Sequence, residues 1–88
     1  MTLPGEDLVE TGLADLMRGV ESVEALLVSI GAPRLDGVGV AVPRPVADAG
    51  RKLYDLLAAE DPLSAHSRYN ALVRRLVSYE RAAECVSR

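Results

Sequence analysis

Four arginines between residues 68 and 81 have the side chains best suited to bind an anion such as a phosphate. On a helical projection Arg68 and Arg75 lie on one flank of an apolar stripe, whereas Arg74 and Arg81 lie on the other side of the helix. A nucleic-acid surface clusters its cations on one face, and this chain has a formal net charge of -3. The pattern therefore favours ion pairs over nucleic-acid binding. The acidic partners we expect are Glu21, Glu24, Asp15 and Asp55.

Two pairs of carboxylates have the helical spacing with which acids of all-α enzymes hold Mg²⁺ and a phosphate, namely Glu21 with Glu24 and Glu80 with Glu84. Glu21 points to solvent on the projection, so the set is incomplete. Glu80 lies within the apolar arc, where an unpaired carboxylate is costly. We therefore predict a buried ion pair or an exit to solvent rather than a metal site, and no cofactor. Expected partners of Glu80 are Arg18, Arg51 and Lys52.

Two further side chains could take part in catalysis but lack a suitable neighbour. His66 and Ser67 are adjacent in sequence, so on a helix their side chains diverge by about 100° and cannot readily share a proton. Cys85 is the single cysteine and has no second ligand or activating group nearby. We expect a solvated histidine and an incidental thiol, and a lone cysteine is typical of a reducing, cytoplasmic setting.

The elements that carry these side chains are predicted to be helices. A four-three repeat of apolar residues, typical of a helix packed on other helices, predicts a helix over 62–87 that begins with Asp61 as N-cap and Pro62 as first helical residue. The repeat comprises Ala65, Tyr69, Leu72, Leu76, Tyr79, Ala83 and Val86. Tyr79 and Glu80 are candidate interaction residues on this helix, together with Arg68 and Arg75.

The same repeat predicts a first helix over 5–30, which Gly31 and Pro33 would end. Its members are Val9, Leu13, Leu16, Val20, Val23, Leu27 and Ile30. Gly12 and Gly19 lie inside this predicted helix, and each costs about 1 kcal/mol relative to Ala. Either they permit close approach of another helix, for instance in a dimer, or they are merely tolerated.

Residues 31–45 interrupt the helical pattern with three Pro and three Gly. Val38, Val40 and Val42 alternate with small residues, which is typical either of an extended segment packed on the helices or of a strand paired with a second chain. We favour the extended, packed connection. A short helix over 46–60, opened by Pro45, completes the prediction.

Length and composition limit the fold to one small domain. The 88 residues include 49% hydrophobic side chains but no Phe or Trp, so Leu, Val, Ile and Ala must fill the core, as in a helical bundle. Residues 1–61 hold eleven acids and five bases, whereas residues 62–88 hold two acids and five bases, so the two parts should attract. The start of the chain lacks the features of a signal peptide, and the sequence lacks an apolar run long enough to span a membrane.

The sequence therefore predicts an all-α single domain over 1–88 with three main helices. We expect a non-enzymatic protein-protein interaction or regulatory module of the cytoplasm, with a protein partner and a homodimeric state. Gly12, Gly19, Arg68, Arg75, Tyr79 and Glu80 are the candidate interaction residues. Two alternatives stay open: a nucleic-acid-associated regulator such as an antitoxin, with a contiguous basic face, and a small all-α enzyme whose helix arginines and Glu80 converge on an anionic or phosphorylated metabolite.

Overall fold

The computed structural model describes residues 3–86, which contain five α-helices and no strand. The helices are α1 (Glu6–Met17), α2 (Val23–Ile30), α3 (Ala32–Gly37), α4 (Ala49–Glu60) and α5 (Ala65–Val86). The all-α bundle is confirmed, but the count of three main helices is wrong. Residue 87, the predicted end of the last helix, lies outside the described residues. None of the helices within residues 3–86 combines the length and the apolar character needed to cross a membrane.

The predicted first helix is two helices because Gly19 ends α1. Gly19 has a left-handed φ of 74°, and its N–H donates to the carbonyl of Leu16 at 3.1 Å, while the N–H of Val20 donates to the carbonyl of Asp15 at 2.8 Å. These two bonds form a Schellman motif, which satisfies the last carbonyls of a helix and turns the chain away. Gly19 is therefore a helix terminator, and its prediction as a glycine inside a helix is wrong.

A polar network starts α2 immediately after this turn. The Ser22 hydroxyl accepts a hydrogen bond from the N–H of Ala25 at 3.1 Å and donates one to Oδ2 of Asp15 at 2.6 Å. Ser22 is thus the N-cap of α2. The other oxygen of Asp15 binds the Arg18 guanidinium, and the hydrogen bonds from Ser22 and Arg18 lower the pKa of Asp15. One carboxylate therefore joins the end of α1 to the beginning of α2.

The segment predicted to be extended contains the short helix α3. Gly31 has a φ of -88° rather than the left-handed value of a helix stop. Pro33 is the second residue of α3, where a backbone N–H has no helical partner to lose and the fixed φ of proline suits the helix. Gly31 is the C-cap of α2, so the predicted end of this helix at residue 30 is confirmed. The prediction that no helix lies within 31–45 is wrong, because α3 begins at Ala32.

A second Schellman motif ends α3 at Gly39, which has a φ of 86°. The N–H of Gly39 donates to the carbonyl of Asp36 at 3.1 Å, and that of Val40 donates to the carbonyl of Leu35 at 2.9 Å. Beyond this point the chain has no helix until Ala49. Three valines of the segment are partly buried against the core, as the packed-connection hypothesis predicts. They are Val38, Val40 and Val42.

The core is centred on α2. All five residues from Ala25 to Ser29 are buried, and α2 contacts each of the other four helices, most extensively α1 and then α4. Helix α5 covers one side with a minority of its residues. Six positions of its predicted repeat are buried or partly buried, whereas Val86 is exposed. The periodicity thus identified inward positions correctly, while the central helix is the shorter α2.

The connection between α4 and α5 is a fixed turn. Oδ1 of Asp61 accepts a hydrogen bond from the N–H of Leu63 at 3.2 Å, and Oδ2 accepts one from the Ser64 hydroxyl at 2.9 Å. Helix α5 begins at Ala65 rather than at Pro62, because Asp61 caps this turn instead of the helix. Helix α4 likewise begins at Ala49, three residues after its predicted start at 46.

Candidate functional site

The two arginines predicted to take part in interactions form ion pairs within the chain, but not with the predicted acids. Nη1 of Arg68 lies 2.9 Å from Oε2 of Glu60, which joins α5 to the end of α4. Nη2 of Arg75 lies 3.4 Å from Oδ1 of Asp7, which joins α5 to α1. These side chains are largely exposed to solvent, so each pair contributes at most about 1 kcal/mol to stability.

Other polar residues of α5 interact locally. Nε of Arg74 donates to the carbonyl of Asn70 at 3.3 Å, and the Asn70 amide lies 3.2 Å from Nε2 of the exposed His66. Cys85 is a free, exposed thiol. The side chains that could act in catalysis or anion binding are therefore spread along α5 and do not converge.

Glu80 is buried, with 3% of its surface exposed, and its ionic partner is Arg34 of α3. Nε of Arg34 lies 3.9 Å from Oε1 of Glu80, and Nη2 lies 3.9 Å from Oε2 of Glu84. Burial raises the pKa of Glu80, and the charge of Arg34 opposes this effect. The predicted ion pair of Glu80 exists, although only its carboxylate is buried and Arg34 is half exposed. Its predicted partners are wrong, because the pattern of residues 31–45 did not indicate that α3 is helical and reaches α5.

The partners first expected for Glu80 are all engaged elsewhere. Arg18 binds Asp15, Arg51 lies near Asp48 and Asp55, and Lys52 lies 3.4 Å from Glu21. Of the acids proposed as magnesium ligands, Glu21 is on the loop before α2 and Glu80 is on α5. Among residues 3–86, no group of three or more His, Cys, Asp or Glu side chains could hold a metal ion.

Gly12 lies at the closest approach of two helices, α1 and α2. A Cβ atom built on Gly12 would lie 2.4 Å from the carbonyl oxygen of Glu24 and 2.9 Å from Cγ1 of Val28. The close helix-helix approach predicted at Gly12 thus occurs inside one chain. In contrast, a Cβ on Gly19 would meet nothing within 4 Å.

Tyr79 also belongs to the interior, with 8% of its surface exposed. Burial raises the pKa of its hydroxyl, and the nearby charges of Glu6 and Glu10 act in the same direction. With Gly12, Tyr79 and Glu80 buried, half of the predicted interaction residues face inward. The six candidates therefore do not share one outward surface.

A different set of side chains forms an outward cavity at the corner between α1 and α2. The cavity has a volume of about 210 Å³ and is lined by Leu16, Met17, Pro43 and Arg44. Met17 is 76% exposed, and Val20, in the turn that follows it, is 45% exposed. We call these five residues the corner surface. It combines apolar side chains with one cation, which is a composition typical of protein contact sites.

Arg44 has an unusual backbone conformation at this cavity. Its φ is 48°, in the left-handed region, although it precedes Pro45, which disfavours helical conformations of the residue before it. Such a state costs on the order of 1–3 kcal/mol and persists only where the surrounding structure imposes it. Within residues 3–86 Arg44 forms no ion pair. Its backbone is therefore constrained, while its exposed side chain has no ionic partner within the described residues.

The loop that carries Arg44 is anchored to the central helix. The N–H of Val46 donates to the Ser29 hydroxyl at 3.0 Å, and that hydroxyl donates to the carbonyl of Ala25 at 2.9 Å. This side of the cavity is therefore fixed by α2, and the other side by the Schellman motif at Gly19.

Sequence reasoning missed the corner surface. The available signal was the tripeptide Pro43-Arg44-Pro45, in which two rigid residues flank a cation, but it lay in a segment interpreted only as a connection. Comparison of the chain with known protein families, with curated proteins and with solved structures gives no match.

Proposed function

We propose that this chain is a non-enzymatic protein-protein interaction or regulatory module that associates with a second copy of itself through the corner surface. The observation that carries the proposal is the cavity lined by Met17 and Arg44, where an exposed apolar side chain lies beside a cation that has no ionic partner within the described residues. An exposed apolar side chain alone is ordinary. An apolar cavity with a fixed polar group supplies both burial and orientation.

The second copy is the partner that the charges favour. The part of the chain before residue 62 has more than twice as many acids as bases. A second copy therefore offers carboxylates with which Arg44 could pair. The Arg68–Glu60 and Arg75–Asp7 pairs within one chain show the same attraction between its two parts. We place the module in the cytoplasm, where the exposed thiol of Cys85 would stay reduced.

Sedimentation equilibrium of the full chain over a wide concentration range tests this function. We expect a concentration-dependent dimer, and we expect Met17→Gln to weaken it by about tenfold or more, because a buried methionine contributes on the order of 1.5–3 kcal/mol. Val86→Gln is the matched control, since Val86 is also an exposed apolar residue, at 63%, but lies at the end of α5. A chain that is monomeric at all concentrations, or a dimer insensitive to Met17→Gln, would contradict the proposal.

A further inference from the structure

Leu63 is the most exposed large apolar side chain among residues 3–86, at 97%. It stands in the turn between α4 and α5, where Asp61 accepts hydrogen bonds from the N–H of Leu63 and from the hydroxyl of Ser64. The backbone of the turn is therefore held in one conformation. A leucine presented on a fixed turn loses little backbone entropy when it is buried by a partner.

The charges around Leu63 are opposite to those of the corner surface. Glu60 and Asp61 precede it in sequence, and Asp61 forms no ion pair within residues 3–86. At the cavity Arg44 likewise forms none. An exposed leucine beside a carboxylate without an ionic partner thus complements an apolar cavity beside a guanidinium without one, and such charge complementarity favours the correct orientation of two partners.

Leu63 lies far along α4 from the cavity of its own chain. Helix α4 has 12 residues, a length of about 18 Å; the loop of Arg44 leads into its first turn, and Leu63 follows its last. An intramolecular contact would have to span that length. When each Leu63 contacts the cavity of the other copy, the two contacts are equivalent and the arrangement closes as a two-fold dimer.

We propose that Leu63 of one copy inserts into the cavity lined by Leu16, Met17, Pro43 and Arg44 of the other, with Asp61 beside Arg44. This proposal rests on the proposed self-association and specifies its second half. Two equivalent contacts form in each dimer, so one substitution at Leu63 removes both. The contact is lost when Leu63 becomes charged, whereas the fold is retained because Leu63 packs on nothing in its own chain.

The first test is sedimentation equilibrium of Leu63→Asp beside the wild type, with Val86→Asp as the matched exposed control. We expect Leu63→Asp to weaken the dimer at least a hundredfold, and Val86→Asp to leave it unchanged. We expect Arg44→Glu to weaken it several-fold, with less effect at high salt. If Met17→Gln dissociates the dimer but Leu63→Asp does not, the inference is overturned while the proposed function stands. A wild type that never associates overturns both.

Disulfide trapping tests the contact itself. In a Cys85→Ser background, a Leu63→Cys chain mixed with a Met17→Cys chain should form a covalent heterodimer on mild oxidation, because facing thiols are brought within bonding distance. Val86→Cys mixed with Met17→Cys is the control and should react no faster than unrelated thiols. Equal rates for the two mixtures would overturn the proposed contact.

Discussion

The substitution Gly12→Ala tests how tightly α1 packs against α2. The new Cβ would lie 2.4 Å from the carbonyl oxygen of Glu24 and 2.9 Å from its carbonyl carbon, whereas carbon and oxygen atoms in close contact are about 3.3 Å apart. Both atoms belong to the backbone, so no rotamer change relieves the clash. The two helices must separate locally by about 0.9 Å.

Such a separation weakens the most extensive helix contact of the fold. A gap of that size forfeits about a quarter to a half of each dispersion contact across it, and overpacking of a tight site costs up to about 3 kcal/mol. The higher helix propensity of alanine offsets about 1 kcal/mol of this loss in the free energy of unfolding. We therefore expect a net loss of about 2 kcal/mol, which for a domain of this size lowers Tm by about 8–16 °C.

Far-UV circular dichroism with thermal and urea unfolding measures the effect. Gly37→Ala is the matched control, because Gly37 is helical and a Cβ there meets nothing within 4 Å; we expect it to stabilise the fold by about 0.4–1 kcal/mol. If Gly12→Ala melts at or above the wild-type temperature, the close approach at Gly12 does not constrain the helix pair.

Two further substitutions test the polar groups of the interior. Ser22→Ala removes the N-cap of α2 and should cost about 1 kcal/mol in urea unfolding, whereas the exposed Ser67→Ala should change stability by less than about 0.5 kcal/mol; equal effects would show that the cap is unimportant. Glu80→Gln tests the raised pKa of Glu80. Because its folded pKa lies above its unfolded pKa, the folded state binds the extra proton, so the wild type should gain stability relative to Glu80→Gln as pH falls through the folded pKa. A difference that is constant with pH, or of opposite sign, would contradict this.

The apolar repeat predicted inward positions well but could not predict where helices end. Leu16 and Leu27 are buried as their spacing requires, yet the four-three pattern continues through Val20, which lies in a turn. Glycine is compatible both with a helix interior and with a left-handed terminus. The left-handed φ of Gly19 and the hydrogen bond from Val20 to the carbonyl of Asp15 distinguish them, and the apolar spacing indicates neither.

Less of the candidate site than of the fold could be predicted from the sequence. The pairing of Glu80 with Arg34 depends on α3, whose Pro33 is compatible with both the end and the beginning of a helix. The corner surface depends on the left-handed φ of Arg44, which is atypical for a residue before proline. Local propensity predicts the opposite conformation at Arg44 and does not decide between the two at Pro33. Residue types could indicate that Glu80 is a buried charge and that the loop of Arg44 is rigid. They could not indicate which side chains Glu80 and Arg44 lie against.

The short turn between α1 and α2 also affects how the chain folds. Its cap, its Schellman motif and its helix contact all join residues close in sequence, and contacts of this kind form quickly because little loop entropy is lost. We expect the α1–α2 pair to form early and to give α4 and α5 a surface on which to dock. The first thirty residues would then carry much of the folding nucleus, and substitutions there would slow folding more than they speed unfolding.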